Sequence, residues 1–153
     1  MTAGAFVLII ALFVLTVVAL WAYFTAQRLN TLHVRTDSAL QQLEAALNRR
    51  AAVAAALIPE AVEPAQQAES ITLTHFNLNE RAQQERSVTA VIKASEQADT
   101  PALVDAEARA QLAHRFYNEA AADTRALRLR PAVKLCRLGG TAALPDFFTH
   151  VTS

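Results

Sequence analysis

One cysteine, three glycines and no charged side chain before Arg28 mark this 153-residue chain, and each scarcity removes a class of structure. A single thiol, Cys136, excludes an internal disulfide framework and fits a reducing compartment. A lone cysteine also offers no Cys-x-x-Cys site, and its plain role is that of a small buried hydrophobe. With so few glycines there is no glycine-rich phosphate loop, and neither a nucleophile elbow nor a His-Glu-x-x-His helix is present. His33, His75, His114 and His150 are too scattered to suggest a ligand pair and read as surface or interface residues. No metal or cofactor is expected. Aromatics are scarce too: beyond residue 24 only Phe76, Phe116, Tyr117, Phe147 and Phe148 remain, so the core there must be thin.

What the chain has instead is an apolar run, FVLIIALFVLTVVALWAYF at residues 6–24, interrupted only by Thr16, the Trp21 indole and the Tyr23 hydroxyl. As a helix it covers about 28 Å, close to the ~30 Å hydrocarbon core of a bilayer. Its thirteen Val, Leu, Ile and Phe residues favour insertion by roughly 4 to 8 kcal/mol in sum. Trp21 and Tyr23 fall at the headgroup level that amphipathic rings prefer. A cleaved secretory signal would carry a basic start, a shorter apolar stretch and a small-residue exit, none of which is clear here. A buried core helix would need apolar partners on all sides, and the rest of the chain does not supply them. The run therefore predicts a membrane anchor over residues 5–25, after a short segment 1–4. Arg28 and Arg35 follow it and no Lys or Arg precedes it, so the positive-inside rule puts the N-terminus outside and the remainder in the cytoplasm.

The remaining 129 residues are enough for one domain, and their Ala, Leu, Gln, Arg and Glu content is that of long helices. Leu29, His33, Thr36, Leu40, Leu43, Leu47, Arg50, Ala54 and Leu57 recur at alternating steps of four and three, one seam of a helix. No glycine or proline interrupts residues 25–58, so this helix continues from the anchor for some 50 Å before Pro59 and Pro64. An irregular connection or kinked extension is expected from there to Phe76. Asn77 and Glu80 resemble a capping box for a second helix, with a weaker seam of Leu78, Ala82, Glu85, Val88, Ile92 and Ser95. Thr100 can cap and Pro101 suits the first turn of a third helix, whose seam is Leu103, Ala106, Ala110, Ala113, Tyr117, Ala120, Thr124 and Leu127. Leu112 and Phe116 are expected to widen that stripe. Pro131 stops or kinks this helix, and a short helical piece at 132–138 is predicted to end at Gly139 and Gly140. The fold class is thus all-α: an anchor, then an antiparallel bundle of about three long helices over 26–138 with a short C-terminal helix. A tail, 139–153, packs on the bundle.

Charge is zoned. Residues 60–107 carry nine acids against three bases, and residues 108–137 seven bases against two acids. Pairing between adjacent helices, with i,i+4 pairs such as Asp105 with Arg109 and Arg115 with Glu119, accounts for this pattern. A sharper account takes Arg125, Arg128, Arg130, Lys134 and Arg137, five cations with no acid between them, as a patch for an anionic partner. Basic residues near a helix C-terminus are also what the macrodipole favours. Asp37 and Glu44 share one side of the first helix and read as a solvated face. His114, Asn118, Glu119 and Asp123 make one dense polar cluster, but a thin bundle seldom builds the enclosed pocket that catalysis prefers, so no enzyme activity is expected.

Three stretches in order resemble the LemA family. RTDSALQQLEAALNRR at 35–50 resembles its helix closed by an Arg-Arg pair, RFYNEA at 115–120 its Arg-x-Tyr-Asn-x-Ala stretch, and Pro145 with Phe147 and Phe148 its Pro-x-Phe-Phe ending. The chain departs from the family where a proline soon after the Arg-Arg pair is displaced to Pro59 and a second Tyr-Asn repeat is replaced around Asp123. The resemblance implies one N-terminal membrane helix, a cytoplasmic bundle and no settled biochemical function. At the matched positions, Arg49 and Arg50 are expected to pair with acids of the second helix. Tyr117 and Asn118 are expected to pack and hydrogen-bond between helices, and Phe147 and Phe148 to plug the bundle's open end. The functional expectation is a membrane-anchored scaffold or adaptor, meeting a bilayer through residues 6–24 and an unknown protein or copies of itself; no nucleic acid is expected. The alternative is a binding module that uses residues 125–137.

Overall fold

A helix persists until a residue withholds a hydrogen-bond donor or adds too much backbone freedom, and residues 3–57 contain one glycine and no proline. In the computed structural model, which describes residues 3–131, 133 and 144–148, α1 accordingly runs unbroken over Ala3–Leu57. Its 55 residues extend about 82 Å. As the uninterrupted residues 25–58 predict, the apolar run and the first bundle helix are one rod. Every large apolar side chain from residue 6 to 24 is exposed, and this is one helix long and apolar enough to cross a membrane near the N-terminus. The Thr16 hydroxyl within it donates back to the Leu12 carbonyl at 2.8 Å, which leaves no unsatisfied polar side chain at that level.

Beyond Ile58 the chain does not simply become irregular. Pro59 opens a 3-10 turn, Pro59–Ala61, and α2 follows at Val62–Glu69. Pro64 is third in α2, where a helix has no intrahelical use for an N–H, so it does not break the element. α3 spans Leu78–Ala94 and α4 spans Pro101–Arg128, with Pro101 in the first turn. No strand occurs among the described residues. The short helix and glycine pair expected at 132–140, like Cys136, lie outside the described residues.

Two cap expectations need correction. Asn77 sits at the N-cap of α3 but makes no side-chain cap bond. Its Oδ1 accepts from Thr74 N at 2.7 Å and its Nδ2 donates to Thr72 O at 2.7 Å, so it braces the α2–α3 connection instead. Thr100 likewise caps α4 only through its backbone carbonyl, which accepts from Leu103 N and Val104 N.

Arg35 and Thr36 of α1 meet Asp123 and Thr124 of α4, and Arg50, farther along α1, meets Glu107, earlier in α4. The buried residues form three apolar levels. Leu29, Leu127 and Val133 make the level nearest the apolar end of α1. Leu40, Leu43, Leu47, Leu73, Leu78, Tyr117 and Phe148 make the largest, and Ala54, Ile58, Val88, Ile92 and Leu103 the farthest. Ala51, Ala106, Ala110, Ala120 and Ala121 are buried on the contact faces of α1 and α4, where their small size permits close helix approach. Leu112 and Phe116 do not widen this core; both are about half exposed, because the stripe is already filled by Ala113 and Tyr117, each one position away.

This packing separates neighbouring alanines on α4. Ala121 is fully buried and Ala122 exposed. Enlarging the first, Ala121→Leu, should cost about 1 to 3 kcal/mol by overpacking. The control Ala122→Leu should stay within about 0.5 kcal/mol. Denaturant unfolding of the two variants side by side checks this, and equal costs would contradict the packing described.

Candidate interaction site

Between the middle and far apolar levels lies a layer of charge. Arg50 on α1 and Arg81 and Glu85 on α3 have no solvent exposure. Charges taken this far from water persist only when paired and hydrogen-bonded, and here they are. Arg50 Nη2 donates to Glu85 Oε2 at 2.8 Å and to Thr89 Oγ1 at 3.1 Å, while Nη1 donates to Glu107 Oε2 of α4 at 2.7 Å. Arg81 Nε donates to Glu85 Oε1 at 2.8 Å, Nη1 to the Ile71 carbonyl at 2.8 Å and Nη2 to Asn48 Oδ1 at 2.7 Å. Two guanidiniums thus face two carboxylates, and Glu85 is shared between both cations. Among the described residues one buried side-chain donor, Arg50 Nε, has no hydrogen-bond partner.

A second polar arrangement, on α4, holds the segment 144–148. Arg125 Nη1 donates to the Pro145 carbonyl at 2.9 Å and to Asp146 Oδ1 at 3.2 Å, and its guanidinium lies 5.3 Å over the Phe147 ring. Tyr117 donates its hydroxyl proton to the Asp146 carbonyl at 2.8 Å. Asn118 meets both backbone groups of Phe148: Oδ1 accepts from its N–H at 3.0 Å, and Nδ2 donates to its carbonyl at 3.2 Å. His114 Nε2 also donates to that carbonyl. Four side chains along α4, at 114, 117, 118 and 125, therefore meet the main chain of the tail. The Phe148 ring is 1% exposed and joins the core level of Leu43, Leu47 and Leu73, edge-on to His114. The groove and the charge layer meet at a void of about 20 Å³ lined by Leu47, Arg50, Glu107, Gln111, His114 and Phe148.

The structure thus brings Tyr117, Asn118, Arg125, Phe147 and Phe148 to one place and sets Arg50 beside it. Arg49 is exposed and stands apart; with Arg109, whose hydrogen bond is the larger cause, it helps hold the Asp105 carboxyl below its usual range. The plug expected over the open end differs in position. The tail runs back along α4 from Arg125 toward His114 and buries Phe148 in the middle of the protein, while Phe147 stays partly exposed. Of the five cations in the basic patch, Arg125 is committed to the tail, Arg128 is partly buried and Arg130 exposed. Lys134 and Arg137 lie outside the described residues. Of the polar cluster on α4, His114 and Asn118 serve the tail and Asp123 pairs with Arg35 at 3.4 Å.

Sequence reasoning missed the acids that fasten the α2–α3 connection. Glu44 Oε1 accepts from Leu73 N at 2.9 Å, and Asp37 Oδ1 lies 2.8 Å from His75 Nε2, with the His75 ring stacked on Tyr117. The two carboxylates read as a solvated face are thus ties to a loop; their seven-residue spacing was the one available signal. A shallow, mainly apolar cleft of about 470 Å³ separates α3 from α4 near Ile92, Leu103 and Val104. No cluster of three or more metal-ligating side chains occurs among the described residues. No family model matches the chain, and neither a curated protein nor a solved structure matches it.

Two outcomes follow from this geometry. Glu85→Ala leaves Arg50 and Arg81 buried without their shared partner and should cost about 3 to 5 kcal/mol in denaturant unfolding. A loss below about 1 kcal/mol would mean that the layer admits water freely. The second concerns Tyr117. Burial, followed by the charges of Asp146 and Asp37, pushes its phenol up to about 12 from the ordinary 10.0. Above pH 10 the unfolded chain releases this proton while the folded chain keeps it, so stability falls as pH rises and the loss is complete near pH 12. Unfolding of the native protein and Tyr117→Phe across that window should show a steeper alkaline decline in the native protein, and parallel profiles would exclude the linkage.

Proposed function

We propose that this protein is a single-pass, membrane-anchored helical scaffold or adaptor of the LemA type, with its bundle in the cytoplasm. The observation that carries this reading is the continuity of α1. One helix contains the apolar run and, from Leu29 onward, the seam against which α4 packs, so no flexible joint separates the two. Anchored through residues 6–24, such a rod fixes the height and tilt of whatever it bears. The paired contacts from Arg35 with Asp123 to Arg50 with Glu107 support an antiparallel arrangement of α1 and α4 within the bundle. Arg50 of the Arg-Arg pair lies in the charge layer, and the Tyr-Asn pair and the aromatic ending lie in the tail groove; this placement of positions that resemble LemA proteins supports the resemblance.

Orientation rests on Arg28 and Arg35 following the apolar run with no cation before it. The bundle's task in this reading is presentation: it offers a surface to a protein partner or to other copies of the chain at a set distance from the bilayer. The engagement of Arg125 by the tail argues against residues 125–137 acting as one open anionic-partner patch.

A labelling experiment tests the placement. Gln83 is exposed on α3, so Gln83→Cys in a Cys136→Ser background gives one accessible thiol on the bundle. A membrane-impermeant maleimide should label membrane-associated protein only after lysis. Labelling in intact cells would put the bundle outside, and recovery of the protein in the soluble fraction would remove the anchor.

A further inference from the structure

The groove on α4 has the properties of a peptide-binding site, already filled. Four side chains, His114, Tyr117, Asn118 and Arg125, address main-chain atoms of the bound segment: the carbonyls of Pro145, Asp146 and Phe148 and the N–H of Phe148. Backbone recognition of an extended segment, with a pocket for a chosen side chain, is a recurrent mode of peptide capture. The pocket here takes one aromatic ring, Phe148, and the rim takes a second, Phe147, under the Arg125 guanidinium. An extended Pro-Asp-Phe-Phe sequence is the chemistry the groove reads.

Nothing in those contacts requires that the ligand belong to the same molecule. Val133 is packed against Leu29 and Leu127, and ten residues, 134–143, connect it to the bound segment. A chain of ten residues can span at most about 33 to 36 Å, roughly three helix diameters. We propose that the α4 groove docks the 144–148 segment of a second copy of this chain, so that neighbouring copies exchange tails. The inference rests on the anchored reading above. Anchors hold every groove at one height and one orientation, which raises the local concentration of exactly matched tails on the neighbours without any new contact. Every copy also carries the one sequence known to fit, so exchange reuses the native contacts, the condition under which segment swapping is cheap.

The test uses full-length chains reconstituted together in lipid vesicles. The donor carries Asn118→Ala, which weakens its own groove, and has Phe147 replaced by the photoreactive analogue p-benzoylphenylalanine. The acceptor carries an affinity tag and Phe148→Ser, which vacates its groove. Irradiation should join donor to acceptor, with the linked peptide mapping to α4 between His114 and Arg125. Adding Asn118→Ala to the acceptor should cut the yield roughly tenfold, since the side chain that bonds both backbone groups of Phe148 is gone. A tagged wild-type acceptor, whose own tail competes, should still crosslink at lower yield, and it guards against a folding defect in Phe148→Ser. Exchange is overturned if neither acceptor crosslinks, or if the yield ignores Asn118→Ala in the acceptor. Flotation of the same vesicles reports anchoring separately, so chains that float yet never crosslink would refute the exchange and leave the anchored reading standing.

Discussion

The layer formed by Arg50, Arg81, Glu85 and Glu107 constrains the whole helical assembly. It takes one residue from α1, two from α3 and one from α4, and its members satisfy one another only in a single mutual register. Shifting any helix by one turn would carry an arginine or glutamate into an apolar level without its partner, at a cost of several kcal/mol. The apolar levels above and below could not impose this alone. They are built from leucines and alanines repeated every three or four residues, and such seams pack almost as well after a slip of one repeat. A second polar level reinforces the choice near the other end, where Thr36 and Thr124 share a hydrogen bond at 2.9 Å. Apolar levels thus supply the burial, and the polar levels between them choose which burial occurs.

This division explains what was legible in the sequence. Helices α1, α3 and α4 and their inward faces follow from local periodicity, and the buried residues of each fall almost wholly on the predicted seams. Arg50 and Glu85 stood on those seams as charged residues, but a seam shows that a residue faces inward and not what meets it there. Arg81, one position before a seam residue, gave no such signal. Its partners Asn48 and Ile71 come from other elements, a relation no local pattern records. α2 was unreadable for another reason. At eight residues with a proline inside, it is held by burying Ala65 and Ala68 against its neighbours rather than by its own propensity. Asp37, Glu44 and Asn77 read as a solvated face and a helix cap, yet all three fasten the same loop.

The aromatic ending was visible as a short motif, but its seat was not. A place for Phe148 exists because α1 and α4 line that level with small residues, Ala39, Ala110 and Ala121 among them, so a large ring can enter from outside the helical seams. Asn118 then provides what a neighbouring strand would: one acceptor and one donor, spaced to meet the N–H and carbonyl of a single residue. This is why an extended segment can lie on a helix without leaving its main chain unsatisfied.

The groove and the charge layer are not independent, because α1 and α4 contribute to both and Phe148 lines the void that reaches Arg50 and Glu107. With the ring in place, the layer is shielded from water on that side, and its ion pairs act in a low dielectric. With the ring withdrawn, water gains a path to Arg50, the one described residue with an unpartnered buried donor, and the pairs weaken through screening even as that donor becomes satisfied. Occupancy of the groove therefore bears on the interaction that sets helix register. Because Arg50 of that layer belongs to α1, and α1 is continuous with the apolar run, the register is set on the same helix that carries the apolar end.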